Sequence, residues 1–571
     1  MLLLSELILG SQLFWDVKVL TRHLAIYAPA AGLALPDHAF GKDVANLGLY
    51  RALAESGKFD MISFLTAEHL SAEQVQLSLL PNGGRTKLQV SQILDFCSVS
   101  NSGILLRGQP YIAELAWLRS TFRRNNSYSI VGLIHTLAPP IVREQIGAVS
   151  IAPVKPWDAL ICTSPSVFTA MQNMFDQWET YLQSRFGVIN ITRPKFPVIP
   201  LGVDVVSQQN AGANLKARRI LRDRLQVSEF DVLILWVGRL SYYEKAFPQS
   251  MFIALQKAAE ISEIPLQFAM VGWFPGADDL ELYREAAYKY CPNVIVHFLD
   301  GSKADIVNES WAAADIFISL VDNPQETFGL SPVEAMAAGL PVVVSNWDGY
   351  SSTVRHGLDG FLVPTLGGIS GGIGDELAAR HGVGLMSYQD YMGAVAQHTA
   401  VDIDAAAYAL TKLVMNPVLR RCMGQSGQQN VIERFSWSVI TKQYTALFSE
   451  LSELRALATE QPPSQINPLR GNPFVDFSGF ATSNMCEELS FFLTQDLSNC
   501  FLALDNLVKL DIFYKECHAD TDDLKSLLTD IANYRSCTLK VLLDRHPANR
   551  HQSLAMGVSW LAKLGLVNWI R

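Results

Sequence analysis

The segment from Asp315 to Pro364 constrains the fold of this chain more than any other stretch. It contains two apolar runs with the length and branching typical of buried parallel strands, Ile316–Val321 and Pro341–Ser345. Between them, Ser331–Ala338 has helical spacing, and Gly339 follows as a helix stop. Strand, loop, helix and strand make one βαβ unit, and ligands of open α/β sheets bind beyond the carboxyl ends of the strands.

Two glutamates lie near the carboxyl end of the first strand of this unit, Glu326 in the loop and Glu334 in the helix. Their positions differ by about 800° around a helix, so they share a face only if Glu326 precedes the helix. A carboxylate pair suits hydrogen bonding to sugar hydroxyls. Taken alone, the pair is explained more simply as one acid favoured by the helix dipole and one solvated glutamate.

The string ETFGLSPVEAMAAGLPVVVS, which contains both glutamates, resembles the signature of the retaining glycosyltransferases of family four. The resemblance implies the α/β fold called GT-B, in which two Rossmann-like, doubly wound domains face a cleft. It also implies that Glu326 contacts the transferred sugar and that Glu334 holds the ribose of the nucleotide. The backbone amides of Phe328, Gly329 and Leu330 would then approach the phosphates of the donor.

A second charged pair extends the resemblance. An apolar strand leads into Gly238 and Arg239, and Lys245 lies six residues after the arginine. The resembled family has a diphosphate clamp of these residue types at this spacing. Arginine offers a bidentate fork to phosphate oxygens and lysine a mobile point charge. The pair would neutralise the charge that builds on a leaving nucleotide diphosphate.

Three further candidates lie in the first half of the chain. The strand Leu24–Ala30 leads into a loop with Gly41 and Lys42, and a helix follows from about Asp43 to Glu55. This order places free backbone amides at a phosphate-sized site, although the resembled family usually has a Gly-Gly pair in the loop. His135 ends another apolar strand. An isolated histidine more often has a structural role, but the resemblance implies that His135 lies in the cleft near the donor sugar and the acceptor.

The chain of 571 residues is too long for one core, so several domains are expected. We predict an N-terminal Rossmann-like, acceptor-side domain over 1–205 and a Rossmann-like nucleotide-sugar-binding domain over 206–438. A crossover helix over 439–457, a proline-rich linker over 458–476 and an all-helical accessory module over 477–571 follow. The segment 366–404 is predicted to be a glycine-rich loop and a helical insertion.

The net charge of −10 argues against a nucleic-acid partner. The 477–571 module also has more acidic than basic residues, so self-association or a protein partner is the expectation for it. Eight cysteines without a CxxC pair favour reduced thiols in a cytoplasmic protein. The apolar start lacks a basic region and a cleavage site, which argues against a signal peptide. We therefore expect a cytoplasmic protein, with peripheral contact at the inner face of the membrane as an extension of that prediction.

Two Asp-x-Asp strings are candidate metal ligands: Asp402 with Asp404, and Asp520 with Asp522. Both stand directly before helical runs, where acids cap free amides and complement the helix dipole. Capping is the better explanation, so no metal site is predicted. We also predict no cofactor, because the nucleotide-diphosphate sugar is a donor substrate.

Together these features predict a retaining hexosyltransferase that uses a nucleotide-diphosphate sugar. Its acceptor would be a glycan or a lipid-linked molecule in cell-envelope or exopolysaccharide synthesis. Two alternatives stay open: a sugar phosphorylase or synthase with the same fold, and a catalytically idle partner subunit that works through its helical tail. The donor base, the sugar and the acceptor are not identified by the sequence.

Overall fold

The computed structural model describes residues 22–29, 33, 41–187, 190–241, 245, 247–276, 278–458, 464–507 and 519–570. Residues 1–21 and most of the loop over 30–40, on which part of the phosphate-site prediction depends, lie outside these ranges. The chain divides into two compact units, with the first ending at Ile466 and the second beginning at Asn467. This division falls inside the segment predicted as a linker.

The first half of unit one is built on a parallel sheet of six strands in the order β3-β2-β1-β4-β5-β6. The apolar runs become strands because helices cover both faces, and a strand such as β5 is buried along its whole length. The strands are β1 His23–Tyr27, β2 Met61–Leu65, β3 Lys87–Ser91, β4 Ile104–Arg107, β5 Ser129–Ile134 and β6 Ala159–Cys162. The helices are α1 Gly41–Ser56, α2 Ala72–Leu79, α3 Phe96–Ser102, α4 Ala113–Thr121, α5 Pro140–Gly147 and α6 Pro165–Phe186.

The second half has another parallel sheet of six strands, in the order β12-β11-β10-β7-β8-β9. Numbered within its own half, this order is the same as that of the first sheet. The strands are β7 Val232–Val237, β8 Leu266–Gly272, β9 Val294–Asp300, β10 Ile316–Ser319, β11 Val342–Ser345 and β12 Gly360–Val363. The helices around it are α7 Val205–Gly212, α8 Leu215–Leu225, α9 Pro248–Ser262, α10 Asp279–Tyr290, α11 Ala304–Ala313, α12 Leu330–Ala337 and α13 Tyr350–Thr353.

These two sheets confirm the predicted pair of doubly wound domains. In each sheet the strand order reverses direction beside the first strand, between β1 and β4 and between β7 and β10. A crevice opens at such a reversal, outside the carboxyl ends of the strands. The βαβ unit predicted from the sequence is β10, α12 and β11, so the glutamate-containing loop emerges at the crevice of the second sheet.

Three helices close unit one, and the last returns to the first sheet. They are α16 Ile403–Met415, α17 Pro417–Arg434 and α18 Trp437–Ala456. Near the end of α18, the Arg455 guanidinium donates at 2.7 Å to the carbonyl of Gly103 and at 2.7 Å to the hydroxyl of Ser129. Glu450 forms an ion pair with Lys195. α18 thus packs on the first domain.

The basic, amphipathic sequence KARRILRDRL predicts a surface helix, but the structure buries part of this helix, α8. Arg218 donates to the carbonyls of Ala312, Ala313 and Ala314 at 2.9–3.1 Å, where α11 ends. Arg222 is buried and shares the carboxylate of Asp315 with Arg218. The last carbonyls of a helix have no partner within the helix, so these arginines satisfy them and tie α8 to the second sheet.

The insertion after the second sheet is a two-helix hairpin on a short stem. The stem is an antiparallel pair, β13 Thr365–Leu366 and β14 Ala400–Val401, and the helices are α14 Ile373–Gly382 and α15 Tyr388–Ala396. The ring of His381 on α14 stacks on Tyr391 of α15, with 5.0 Å between ring centroids and an interplanar angle of 8°. This contact fixes the two helices to each other.

Unit two contains the predicted helices and, in addition, a small antiparallel sheet. Its helices are α19 Pro473–Asp476, α20 Leu497–Leu507, α21 Thr521–Tyr534, α22 Leu539–Leu543 and α23 His551–Lys563. Its strands are β15 Ser490–Leu493, β16 Cys537–Thr538 and β17 Val567–Ile570, in the order β16-β15-β17. The all-helical prediction did not include these strands, because runs of two to four residues are too short to show an alternating pattern.

The acidic residues and cysteines discussed above have ordinary structural positions where they are described. Asp402 caps α16, accepting a hydrogen bond of 2.9 Å from the amide of Ala405. Asp520 occupies the position before α21. Cys500 and Cys537 are buried in the core of unit two, whereas Cys517 lies outside the described residues. In the part of the chain that the structure describes, no helix is both long and apolar enough to cross a membrane.

Candidate functional site

A cavity of about 550 Å³ lies in unit one where the carboxyl ends of the two sheets face each other, and we call it the cleft cavity. Every site residue predicted from the sequence lines it: His135, Arg239, Lys245, Glu326, Gly41, Lys42, Gly238, Phe328, Gly329, Leu330 and Glu334. They come from both domains and from four separate stretches of the chain. The individual roles given to them by resemblance stay predictions.

Three glycines form the floor of the cleft cavity at the ends of neighbouring strands of the second sheet. Gly238 follows β7, Gly272 ends β8, and Gly301 follows β9. A Cβ atom on Gly272 would lie 1.8 Å from the carbonyl oxygen of Gly238, and one on Gly301 would lie 2.7 Å from the Cα of Gly272. No side chain fits between these closely packed backbones, so this part of the cavity is lined by backbone atoms. Gly272 was not predicted as a site residue from the sequence. A signal was available, because a glycine also follows each of the two neighbouring strands.

The start of α12 forms one wall of the cleft cavity. Gly329 precedes the helix with φ of +97°, which favours glycine, and a Cβ there would lie 2.2 Å from the ring of Tyr350. Tyr350 is fully buried, and its hydroxyl lies 3.0 Å from that of Ser319. The tight turn brings the first turn of α12 to the cavity. The amides of a first helical turn have no partners within the helix, and they attract negative charge.

Lys245 and Glu326, proposed separately from the sequence, form an ion pair with each other. The Glu326 side chain is only 13% exposed, so its carboxylate depends on the lysine for charge compensation. The amide of Asn323 donates at 2.6 Å to the backbone carbonyl of Lys245, which holds the lysine against the loop that carries Glu326. The pair places one positive and one negative group side by side at the crevice.

Glu334 lies inside α12, between its start and its last turn. Burial raises the pKa of this carboxyl to about 7. A carboxyl with such a pKa exists in both forms near neutral pH, and either form can hydrogen-bond to a hydroxyl group. Its position on the helix agrees with the sequence-based placement of Glu334 inside the helix and Glu326 before it.

His135 follows β5 on the opposite side of the cleft cavity. Its Nε2 lies 2.9 Å from Oδ1 of Asn46, whose amide nitrogen donates at 3.0 Å to the carbonyl of Gly108. Asn46 Oδ1 is therefore an acceptor, and His135 carries a proton on Nε2. Burial lowers the pKa of His135 to about 4, and the positive charge of Lys42 contributes to this. The imidazole is neutral at physiological pH, with Nδ1 left as an acceptor.

Asn46 was missed in the sequence, although a polar residue among the buried positions of α1 is a usable signal. Asp348 was missed as well. It has φ of +43°, a left-handed conformation that is strained for a residue with a side chain. Its Oδ1 accepts a hydrogen bond of 3.3 Å from Ser164, and burial together with the charge of Glu326 raises its pKa to about 7. Asp348 and Ser164 link the carboxyl edges of the two sheets.

The family "Glycosyl transferases group 1" matches residues 217–366. A D-inositol 3-phosphate glycosyltransferase of Geodermatophilus obscurus is 33% identical over 171 residues, which are 29% of this chain and 36% of that protein. A phosphatidyl-myo-inositol mannosyltransferase of Mycobacterium leprae is 24% identical over 294 residues, which are 51% of this chain and 65% of that protein. The chain thus spans less than two thirds of the length of either relative.

Among solved structures, Anabaena Alr3699/HepE in complex with UDP and glucose is 15% identical to this chain, with a TM-score of 0.47. The match covers 75% of this chain and 99% of the Anabaena protein. The matched family segment contains Arg239, Lys245, Glu326 and Glu334, the residues on which the sequence-based resemblance rests. Residues 217–366 of the chain are therefore similar to the glycosyl transferases group 1 family.

Proposed function

We propose that this protein is a glycosyltransferase that moves a hexosyl unit from a nucleotide-diphosphate sugar to a hydroxyl group of a glycan or a lipid-linked acceptor. One observation carries the proposal: Arg239, Lys245, Glu326 and Glu334 line one cavity with a glycine floor, within the segment that matches the family. Packing alone does not require four charged residues around one crevice. Their joint presence therefore argues against a catalytically idle subunit.

In this proposal the donor lies along the second sheet. Its diphosphate approaches the glycine floor and the start of α12, where Arg239 and Lys245 offset its charge. Glu334 accepts hydrogen bonds from the ribose, and Glu326 from the hydroxyls of the transferred sugar. Lys245 has two functions, because it also compensates the carboxylate of Glu326, which would otherwise repel the diphosphate.

Transfer proceeds with retention of the anomeric configuration. The acceptor hydroxyl approaches the sugar on the face from which the diphosphate departs. As the bond between the anomeric carbon and the diphosphate oxygen breaks, the acceptor oxygen bonds to that carbon, and the hydroxyl proton passes to a phosphate oxygen. Arg239 and Lys245 stabilise the negative charge on the leaving group. Neutral His135, held by Asn46, orients the sugar and the acceptor and does not exchange a proton.

The same two cations make a divalent ion unnecessary for leaving-group stabilisation. We therefore propose that transfer is independent of added metal and of any cofactor. Activity measured in EDTA should equal activity in Mg²⁺ or Mn²⁺. Loss of activity in EDTA with recovery on addition of either ion would contradict this part of the proposal.

The function is tested by adding UDP, GDP and ADP, and then their hexose conjugates, to the whole chain and measuring the unfolding midpoint. One nucleotide diphosphate and its sugars should raise the midpoint, because binding to the native state stabilises it. With that donor, Glu326→Gln should keep nucleotide diphosphate affinity but lose sugar transfer. A chain whose midpoint responds to none of these compounds is not a nucleotide-sugar transferase.

The stereochemistry is tested on the product formed with the active donor. NMR of the new linkage should show the same anomeric configuration as the donor. Mass spectrometry of the enzyme during turnover should detect no covalent glycosyl adduct. An inverted centre, or a stable adduct on Glu326, would contradict the same-face mechanism.

A further inference from the structure

A second cavity, of about 800 Å³, lies next to the cleft cavity, and we call it the side cavity. Its walls are α5 and α6 of the first domain, the loop after β10, and α15 of the insertion. Its volume is within the range of small-molecule binding sites. None of the site residues predicted from the sequence lines the side cavity. The sequence predicted the insertion but assigned it no function.

The two cavities are neighbours that share Thr327. The Thr327 hydroxyl donates at 2.7 Å to the backbone carbonyl of His135, and its own carbonyl accepts a hydrogen bond of 3.3 Å from Thr163. The threonine between the cavities is thereby held by the first domain. Helix α15 also contributes to both cavities, with Tyr388 in the cleft cavity and Met392 in the side cavity.

The lining of the side cavity is largely apolar. On α6, Met174 and Trp178 are four positions apart and so lie on one face of the helix. Met392 and Val395, on α15, are three positions apart and also share one face of their helix. Trp178 is 38% exposed and stacks on the ring of Tyr181, with 5.3 Å between centroids and 17° between planes. An accessible aromatic surface of this kind suits an alkyl chain or an aryl group.

Two polar groups of the side cavity lie in a different part of it from these apolar side chains. Asp348, hydrogen-bonded to Ser164, lines it, as does Thr327 beside the cleft cavity. Four other polar residues also line the cavity: Arg143, Glu144, Asn173 and Gln177. Most of its lining surface is nevertheless apolar. A molecule filling it would therefore meet hydroxyl-binding groups beside the cleft cavity and a mainly apolar surface elsewhere. This distribution matches a molecule with a reactive hydroxyl at one end and an apolar body.

We propose that the side cavity is the acceptor site and that it selects acceptors whose sugar or alcohol is attached to an apolar alkyl or aryl group. The insertion over 366–404 forms the wall that makes this selection. The inference rests on the proposed glycosyl transfer, because only then does a hydroxyl-bearing molecule have to reach Glu326 from the neighbouring cavity. Asp348 is a positioning residue at the junction.

The first test is calorimetry of the whole chain, saturated with the nucleotide diphosphate that it binds, against two probes. These are octyl β-glucoside below its micellar concentration and methyl β-glucoside. We expect the octyl compound to bind at least about tenfold more tightly, because its chain is removed from water in the cavity. Equal affinities for the two probes would overturn the inference.

Matched variants locate the binding. Trp178→Ala should reduce the preference for the octyl compound about fivefold or more, and Val395→Ala should reduce it as well, both without changing nucleotide diphosphate affinity. Phe186→Ala is the control, because Phe186 lies on the same helix, is 65% exposed and stands outside the cavity. If Phe186→Ala lowers the preference as much as Trp178→Ala, the octyl chain binds elsewhere and the inference is wrong.

A photoreactive probe gives a readout that does not depend on the stability of any variant. A benzophenone β-glucoside should label peptides from 170–178 and 391–395 of the native chain, and octyl β-glucoside should compete with the labelling. Labelling confined to other peptides would overturn the acceptor site. Nucleotide diphosphate affinity, measured on the same samples, distinguishes failure of the proposed function from failure of this inference. If the chain binds no nucleotide diphosphate, the proposed function fails. If it binds one but shows no preference for the octyl compound, only this inference fails.

Discussion

The two sheets of unit one have the same strand order but different carboxyl edges. In the second sheet, Gly238, Gly272 and Gly301 stand at three neighbouring strand ends and line the cleft cavity with backbone atoms. In the first sheet, a charged side chain, Arg107, stands at the end of β4, beside β1. Its guanidinium forms an ion pair with Glu114 and lies 5.3 Å from the ring centroid of Tyr27.

This difference shows that topology determines where a ligand can bind, while the residues at the strand ends determine what can bind. The first edge carries the ion pair of Arg107 and Glu114, and its functional candidate, His135, is neutral. The second edge has an open backbone surface with Arg239 and Lys245 beside it. In the proposed function, the anionic diphosphate meets the second edge, and the first edge orients the neutral groups.

The largest expected effect comes from closing the second edge with Gly272→Ala. The new Cβ would lie 1.8 Å from the carbonyl oxygen of Gly238, a backbone atom that cannot turn away. We expect about 3 kcal/mol lower stability and at least about a hundredfold weaker nucleotide diphosphate binding. Denaturant unfolding and calorimetry measure the two effects.

The control for this change is Gly132→Ala in β5 of the first sheet. The nearest atoms to its Cβ, at 2.8 Å, belong to the side chains of Ile112 and Leu160, which can adjust. Gly132→Ala should lower the stability of the chain less than Gly272→Ala does, and it should leave nucleotide diphosphate affinity unchanged. Equal loss of affinity in both variants would mean that the floor of the second sheet has no special part in binding.

The next largest effect concerns the charges at the two edges. Arg239→Ala should weaken nucleotide diphosphate binding about ten- to a hundredfold, equivalent to about 1.5–3 kcal/mol of charge-assisted hydrogen bonding. Lys245→Ala should do the same, and a further change of Glu326→Gln should recover part of the affinity by removing the uncompensated carboxylate. Calorimetry of the three variants measures this.

Lys42→Ala sharpens the same comparison from the first edge. Lys42 lines the cleft cavity but is exposed to solvent, so its contribution to binding should stay below about 1 kcal/mol. If Lys42→Ala weakened nucleotide diphosphate binding more than Arg239→Ala does, the diphosphate would bind at the carboxyl edge of the first sheet. The roles of the two edges would then be exchanged.

A smaller effect is expected in the pH dependence of stability, with opposite signs at the two edges. The pKa of His135 is lowered from 6.5 to about 4 by burial, so on acidification through this window the unfolded chain binds a proton that the native residue does not. The contribution of His135 to stability therefore falls as pH drops. Glu334, with a pKa raised from 4.5 to about 7 by burial, loses its contribution as pH rises through that interval.

These signs are checked by unfolding midpoints of His135→Gln and Glu334→Gln between pH 4.5 and pH 8. Relative to the unchanged chain, His135→Gln should gain a few degrees towards acidic pH, and Glu334→Gln should gain towards basic pH. Parallel curves for all three proteins would show that neither group titrates differently in the native and unfolded states.

The smallest effect is expected from removing unit two. If the two sheets make the whole nucleotide site, a chain ending at Ile466 should keep its nucleotide diphosphate affinity within about twofold. The end is placed after Gln465 because Ser464 and Gln465 are hydrogen-bonded to Ser120 of the first domain. A large loss of affinity, with circular dichroism of the remaining unit unchanged, would place part of the site in residues 467–571.

Much of the second domain could be predicted because its signals are local. The strands around the glutamate loop are short apolar runs, the helix between them ends at a glycine, and the charged residues follow strand ends directly. The match over 217–366 confirms the family predicted from these residues. The buried arginines of α8 were misinterpreted because their partners, the last carbonyls of α11, lie about ninety residues further along the chain.

The sequence by itself determined the βαβ unit around the glutamate loop and which residues stand at its strand ends, because apolar runs and glycine positions act over a few neighbouring residues. The pair of doubly wound sheets was implied by the resemblance to a known family. Only the tertiary structure decided that Lys245 pairs with Glu326, that Asn46 holds His135, and that the insertion meets α6 to enclose an apolar cavity. These contacts join residues distant in the chain, and their geometry is set by how whole helices and sheets pack. No local pattern contains that information.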